Sequence, residues 1–224
     1  MNTRAQGFLL LLLGGALVRL GSSDLLLRYV RAAAGTWVLL AGCTLLVLAA
    51  AALILSYRRP AEPAARTGWL LSAPVVVILL IAPPALGAFT AGRASMAPAG
   101  RSRPARGGFP QLIGAVPYQL SLLDFSTRAL WDAGRTLNGR DVELTGFVLR
   151  LKAGGFVLAR LVISCCAADA RPVEVMIDGA PPSTTGGWVR VTGRYAGTGT
   201  APLHLAILHA ATQVAVRQPT DPYD

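Results

Sequence analysis

Lysine is almost missing from this chain of 224 residues: Lys152 is the only one, against twenty arginines. Histidine occurs twice, at His204 and His209, and cysteine three times. Acidic residues number only eleven. These scarcities exclude several chemistries. There is no phosphate-cradling P-loop, no glycine-rich dinucleotide fingerprint and no H-E-x-x-H zinc motif. Two histidines on one predicted strand do not assemble a Ser/His/Asp constellation, so the chain reads as a non-enzyme. The near-exclusive use of arginine, with heavy Ala, Gly and Pro usage, reads as compositional bias of the genome. The net charge of +10 is spread evenly, with no basic run interleaved with aromatics, so no nucleic-acid partner is expected.

Charge is also absent from two long stretches. Ala32–Ser56 and Thr67–Gly92 carry no charged residue over 25 and 26 positions. About 20 apolar residues cross the hydrocarbon core as a helix, so both are predicted spans, at about 32–56 and 67–90. Pro74, Pro83 and Pro84 kink or end the second. An earlier apolar stretch, about 5–22, is shorter and reads as a first span. A cleaved signal peptide and an interfacial helix are the competing readings. No charge inside the two long spans leaves no evident ion path. The spans are then anchors in the lipid bilayer or surfaces that meet a partner, and the small residues in "LLAGCTLL" and "AAAAL" suit close helix contact. With three spans, Arg4 and the loop holding Arg58, Arg59 and Arg66 share the cytoplasmic side. That sends the rest of the chain outside, although the arginines on the two sides nearly balance.

Residues 1–92 therefore form an expected transmembrane region of two or three helices. Residues 93–117, rich in Arg, Gly and Pro without periodicity, read as a flexible linker. Residues 118–224 change character to period-two alternation. Ser121–Ala133 reads as one amphipathic helix, capped by Ser121 with Asp124 completing a capping-box-like start, ended by Gly134, and with Leu123, Leu130 and Trp131 near one face. Strands are predicted at Val142–Arg150, Phe156–Ser164, Val173–Asp178, Trp188–Tyr195 and Leu203–Ala211, with a further short strand at Gln213–Arg217. "VELTGFV" (142–148) and "VRVTGRY" (189–195) share V-x-[LV]-T-G-x-[VY]. A glycine at the same point inside two strands predicts a bend or bulge in each. Five short, bent strands fit a small β-rich OB-like barrel (the oligonucleotide/oligosaccharide-binding type).

The residues that can carry chemistry lie in "VISCCAADA" (162–170). Adjacent residues of an extended strand point to opposite faces, so Cys165 and Cys166 reach one ligand only if the strand breaks there. Asp169 is positioned to return as a third, hard ligand or to hydrogen-bond a thiol. Metal or thiol chemistry, simple burial and a disulfide between neighbours all remain open for the pair. A complete zinc site takes four ligands. His204 and His209, five apart on a predicted strand, face opposite sides, so at most one joins readily. His204 otherwise reads as a solvated strand residue and His209 as a barrel-end residue. Cys43, mid-span, reads as helix-packing filler.

The order of features, with "GWLLSAPVVVILLIAPPALG" (68–87), "LLDFSTRALWDAGRTLNGRDVELTGFV" (122–148), "LVISCCAADARPVEVMI" (161–177) and a final "DPYD" (221–224), resembles the YcgQ-like family of bacterial membrane proteins. The Cys-Cys-Ala-Ala-Asp-Ala stretch and the G-R-x-V-x-L-T-G segment carry most of the specificity. The resemblance implies a membrane-anchored accessory subunit of a two-component permease, paired with a separate polytopic YcgR-like permease and linked to metal homeostasis, with zinc the first candidate. Many members carry a His-rich loop between the later spans. The corresponding "YRRPAEPAARTG" (57–68) has no histidine, which disfavours metal capture by that loop. Two further readings stand beside the accessory subunit. One is a thiol redox or metal-binding protein using Cys165 and Cys166, and the other is a membrane-tethered ligand-binding module.

Overall fold

The structure is a computed structural model that describes residues 3–57, 108–151, 154–199 and 204–224, with Gly87 and Ala91 as isolated positions. It divides into two compact units, Met1–Ala85 and Leu86–Asp224. The predicted span at 67–90 lies outside the described residues, apart from Gly87. So do residues 93–107 of the predicted linker.

In the first unit, helix α1 (Thr3–Gly21) and helix α2 (Gly35–Tyr57) pack on each other. Glycine sets how closely. A methyl at Gly7 would stand 2.7 Å from the Leu53 side chain, one at Gly14 3.0 Å from the Gly42 carbonyl oxygen, and one at Gly21 2.7 Å from Leu39. As the α1 position climbs, its α2 partner descends, so the pair is antiparallel. The spacing of seven keeps the three glycines on one stripe, as in a left-handed coiled pair. From the other side, Gly42 sits against the Val18 backbone nitrogen, where a methyl would lie 3.0 Å away. Small residues that let backbones approach are the helix-contact device of lipid environments. The rest of α2 turns apolar side chains outward: Trp37 is 73% exposed, Val47 69% and Ile54 59%.

Ala32–Ser56 is long and apolar enough to cross a membrane, and only 11% of its most apolar window is buried inside the protein. The apolar part of α1, Gln6–Gly21, is shorter. Two short 3-10 turns, Asp24–Arg28 and Ala32–Ala34, join the helices.

The second unit is a closed barrel. Its elements are β1 (Tyr118–Gln119), helix α3 (Leu122–Trp131), β2 (Asp141–Arg150), β3 (Phe156–Val162), β4 (Arg171–Asp178), β5 (Trp188–Thr198) and β6 (Ala206–Ala215). The sheet order is β1-β2-β3-β4-β6-β5, and an added β2–β5 pairing returns the sheet to its start. Neighbours are antiparallel except β1–β2 and β4–β6. Five mutually closing strands with one parallel pair make the OB-like barrel expected from the sequence.

Both glycines of the repeated V-x-[LV]-T-G-x-[VY] pattern mark the points where closure is made. Residues 141–147 of β2 pair with β5, and 147–150 pair with β3. The strand changes partner at Phe147, next to Gly146, where a methyl would stand 2.7 Å from the Ala159 carbonyl oxygen. In β5 the register against β6 shifts between Thr192 and Gly193, and any side chain at Gly193 would overlap the His209 carbonyl. Sequence alone placed strand ends less well. The tail strand expected at Gln213–Arg217 is continuous with β6, which begins at Ala206, so His204 precedes the strand with φ at +43°.

Alternation sends Val142, Leu144, Val148, Phe156, Leu158, Val175, Val189, Val191 and Leu208 into one core. Helix α3 closes it. Ser121 caps the helix by accepting a 3.0 Å hydrogen bond from the Asp124 N–H. Asp124 does not complete a reciprocal box; its carboxylate instead takes the Arg128 guanidinium, with Nε 3.0 Å from both oxygens. The face that enters the barrel is Leu122, Phe125 and Ala129. Of the expected face of Leu123, Leu130 and Trp131, Leu123 only flanks the core, and Trp131 is 43% exposed. The helix ends at Trp131, three residues before the expected Gly134; Gly134 lies in the turn beyond it, where its φ of +69° and contact with the Tyr195 ring admit no side chain.

Within residues 108–117, the described end of the 93–117 stretch, Phe109, Pro110 and Leu112 touch this barrel while Ile113 and Val116 stay exposed. Leu112 lies against the core. Arg128 donates to the Pro110 carbonyl at 2.8 Å and stands 5.4 Å over the Phe109 ring.

Candidate functional site

The break that the cysteine pair requires is present. Strand β3 stops at Val162, the chain bends at Ser164 and Cys165, and a 3-10 turn spans Ala167–Asp169 before β4 begins at Arg171. Asp169 ties this loop. Its two carboxylate oxygens accept the Ser164 N–H at 3.0 Å and the Cys165 N–H at 2.9 Å. Cys166 itself is extended, with φ at −154°. The bend on one side and the turn on the other bring the sulfurs of Cys165 and Cys166 to 3.7 Å. All three cysteines are free thiols; Cys165 is exposed and Cys166 half-buried.

Electrostatics disfavour the thiolate of Cys165. A hydrogen bond to the Asp169 carboxylate and another to Cys166 push the Cys165 thiol up to about 11. The same loop holds the Asp169 carboxyl below its usual range, first through the Cys165 backbone N–H. A nucleophilic or disulfide-exchange thiol needs the opposite, a site that stabilises thiolate. The loop therefore does not favour the redox reading.

Cys165, Cys166 and Asp169, singled out from sequence, thus come together, but Asp169 commits both oxygens to backbone amides. The histidines stand elsewhere. His209, on β6, has Nδ1 3.3 Å from Asp178 at the end of β4. His204 lines a narrow cleft with Ser126, Leu130, Val173, Glu174, Leu205 and Ala206. Among the described residues, no group of three or more His, Cys, Asp and Glu side chains is arranged to hold a metal ion. That cleft is a feature sequence reading missed. Burial pushes the Glu174 carboxyl up, and the buried Ser126 hydroxyl has no hydrogen-bond partner among the described residues. No local motif announces it, since its members come from α3, β4 and the approach to β6.

A second overlooked feature is the seat of "DPYD". Where β3 runs past the end of its pairing with β2, Leu161 bridges to Tyr223, and the Asp224 N–H donates to the Leu161 carbonyl at 2.9 Å. Tyr223, Phe147, Ala159, Leu161, Ile163 and Ala91 form a small apolar cluster apart from the main core. Arg160 holds the tail by donating to the Asp221 carbonyl at 2.7 Å and by pairing with the Asp224 carboxylate at 3.1 Å. That carboxylate also accepts the Leu123 N–H at 3.0 Å, so residue 224 helps cap the start of α3. Burial pushes the Asp224 carboxyl up, against the pull of Arg160 and of the helix amides.

Residues 129–223 match the family model described as the DUF1980 C-terminal domain. The match takes in the second half of α3, the whole barrel from β2 onward, the cysteine loop and most of the tail. No curated protein and no solved structure matches the chain.

Proposed function

We propose that this chain is a membrane-anchored accessory subunit of a two-component permease. Its N-terminal helices cross the bacterial cell membrane more than once, and its barrel lies on the extracytoplasmic side beside a separate polytopic YcgR-like permease. The observation that carries this reading is the opposite placement of apolar surface in the two units. Helix α2 turns Trp37, Val47 and Ile54 outward, which suits lipid or another membrane protein, whereas the barrel turns its apolar residues inward. The match to the DUF1980 C-terminal domain supports it, as does the resemblance of the sequence to the YcgQ-like family.

In this role the barrel positions or stabilises the partner. Purification in mild detergent is expected to recover the chain together with a polytopic permease. Recovery of the intact chain alone, under conditions that preserve other membrane complexes, overturns the reading. Sidedness has its own test. A membrane-impermeant maleimide applied to intact cells should label Cys165, because that thiol is exposed; labelling only after lysis places the barrel inside.

A second reading rests on the loop itself. The close, accessible thiols favour a membrane-tethered thiol module over a general ligand-binding barrel. The domain's large aromatics are mostly engaged in packing, with Phe125 set edge-on to Tyr195 and Phe147 edge-on to Trp188.

A further inference from the structure

Among the described residues of the barrel unit, one carboxylate stands alone. Six of the others face an arginine or a histidine, and Asp169 and Asp221 accept backbone N–H groups. Glu174 has neither kind of partner among those residues. It lies half-buried in the cleft between α3, β4 and the approach to β6. Burial pushes its carboxyl up, the mark of a charge taken from water without compensation.

Two more polar side chains line the same cleft and share this want of partners. Ser126 on α3 is 4% exposed, and its hydroxyl makes no hydrogen bond among the described residues. His204 is exposed, its imidazole is likewise unpaired among them, and its φ of +43° lies in the left-handed region that costs a non-glycine residue. An unpaired buried polar atom in a native fold calls for an occupant or a role. All three groups can accept: a carboxylate, a hydroxyl oxygen and the bare nitrogen of a neutral imidazole. A primary ammonium carries three N–H donors and no acceptor. The cleft volume of about 10 Å³ admits one water-sized group, which suits an ammonium tip and excludes a planar guanidinium. Leu130, Val173, Leu205 and Ala206 make the other walls apolar, a fit for the methylenes behind such a charge. Water has only two donors and brings no charge to Glu174.

We propose that the α3–β4 cleft binds a protonated primary amine, with Glu174 as its counter-charge and Ser126 and His204 as the other two acceptors. A free aliphatic amine and the lysine tip of another protein share this chemistry. The site belongs to the barrel alone, so it stands or falls apart from the accessory-subunit reading.

The test uses the full chain in mild detergent, with n-butylamine as the probe. The chain has two histidines, so their imidazole Cε1–H signals give one reporter in the cleft and one reference outside it. The His204 signal should shift and saturate with butylamine while that of His209 stays in place. n-Butanol, which lacks the charge, and n-butylguanidine, which is too wide, should leave His204 unmoved. Glu174→Gln should weaken butylamine about 10–100-fold, as loss of a hydrogen bond to a charged group does. Ser126→Ala should weaken it too, yet leave the urea midpoint of the barrel unchanged or raised, because it removes a buried hydroxyl that has no partner. Putrescine and Nα-acetyl-lysine amide separate the two sources: whichever binds more tightly identifies a free amine or a side chain, and either order supports the site. A His204 signal that ignores butylamine, or answers butanol equally, overturns the proposal. So does undiminished binding in Glu174→Gln when the His209 signal shows the barrel intact.

Discussion

The two units of this molecule solve the same packing problem with opposite surfaces. In the helical hairpin the contact is made by what is missing: glycines at 7, 14, 21 and 42 let backbones approach, and large apolar side chains point away. In the barrel the contact is made by what is present, a filled interior of Phe, Leu and Val with polar residues outside. Water drives the second arrangement, because burying each large apolar side chain stabilises by roughly 1.5–3 kcal/mol. It cannot drive the first where the surroundings are hydrocarbon, and close backbone approach takes over. The difference teaches that an apolar residue here has a meaning only relative to its unit.

Substitutions should separate the two regimes. The largest effect is expected from Phe125→Ala, which empties a fully buried site where α3 closes the barrel. A loss of about 3–5 kcal/mol follows from comparable truncations, read as a lowered urea midpoint by Trp188 fluorescence. Gly193→Ala comes next. The new methyl meets the His209 carbonyl and the Ala210 Cα, which are backbone and yield little, so about 2–3 kcal/mol is expected in the same titration. Neither change should alter amide exchange in the hairpin.

Gly42→Leu reverses the test. It should speed amide exchange in α1 and α2, weakening their contact by about 1–2 kcal/mol, and leave the barrel midpoint where it was. If it lowers that midpoint, the two units are not energetically separate.

The smallest effect belongs to the barrel's exterior. Arg194 pairs with Asp141 at 2.6 Å across β2 and β5, and its hydrogen bond holds the Asp141 carboxyl below the usual range. A depressed carboxyl contributes stability above its unfolded value and loses it as pH falls through the folded one. Arg194→Gln should therefore match the parent below that range and fall slightly short of it above. The gap, read from urea midpoints across pH, should shrink in high salt, since the pair is exposed.

Strands were legible because alternation is a local signal. Gly146 and Gly193 were legible because a glycine repeated at the same point inside two strands marks backbone that must bend or be closely approached. The buried face of α3 was not: Leu122, Leu123, Phe125, Ala129, Leu130 and Trp131 offer two apolar faces, and only the barrel mouth chooses between them. His204 was placed in a strand because its neighbours are apolar, while in the structure it precedes β6 with a positive φ that no strand residue adopts. The glycine stripe of α1 carried a readable seven-residue spacing that hydropathy alone hides. The cysteine loop was legible as a break in a strand; its 3.7 Å spacing depends on how Asp169 folds back, which no pattern reports. The tail's partners Arg160 and Leu123 lie 61 and 101 positions upstream of the residues they hold, beyond the reach of any local signal.

That last distance has a consequence for how the domain is born. Helix α3 leaves the ribosome early, yet one of its first-turn amides waits for a carboxylate translated 101 positions later. Until then the ridge around Leu161 stays uncovered and Arg160 lacks its counter-charge. A message truncated just before the codons for "DPYD" would thus yield every strand of the barrel and still leave it unfastened.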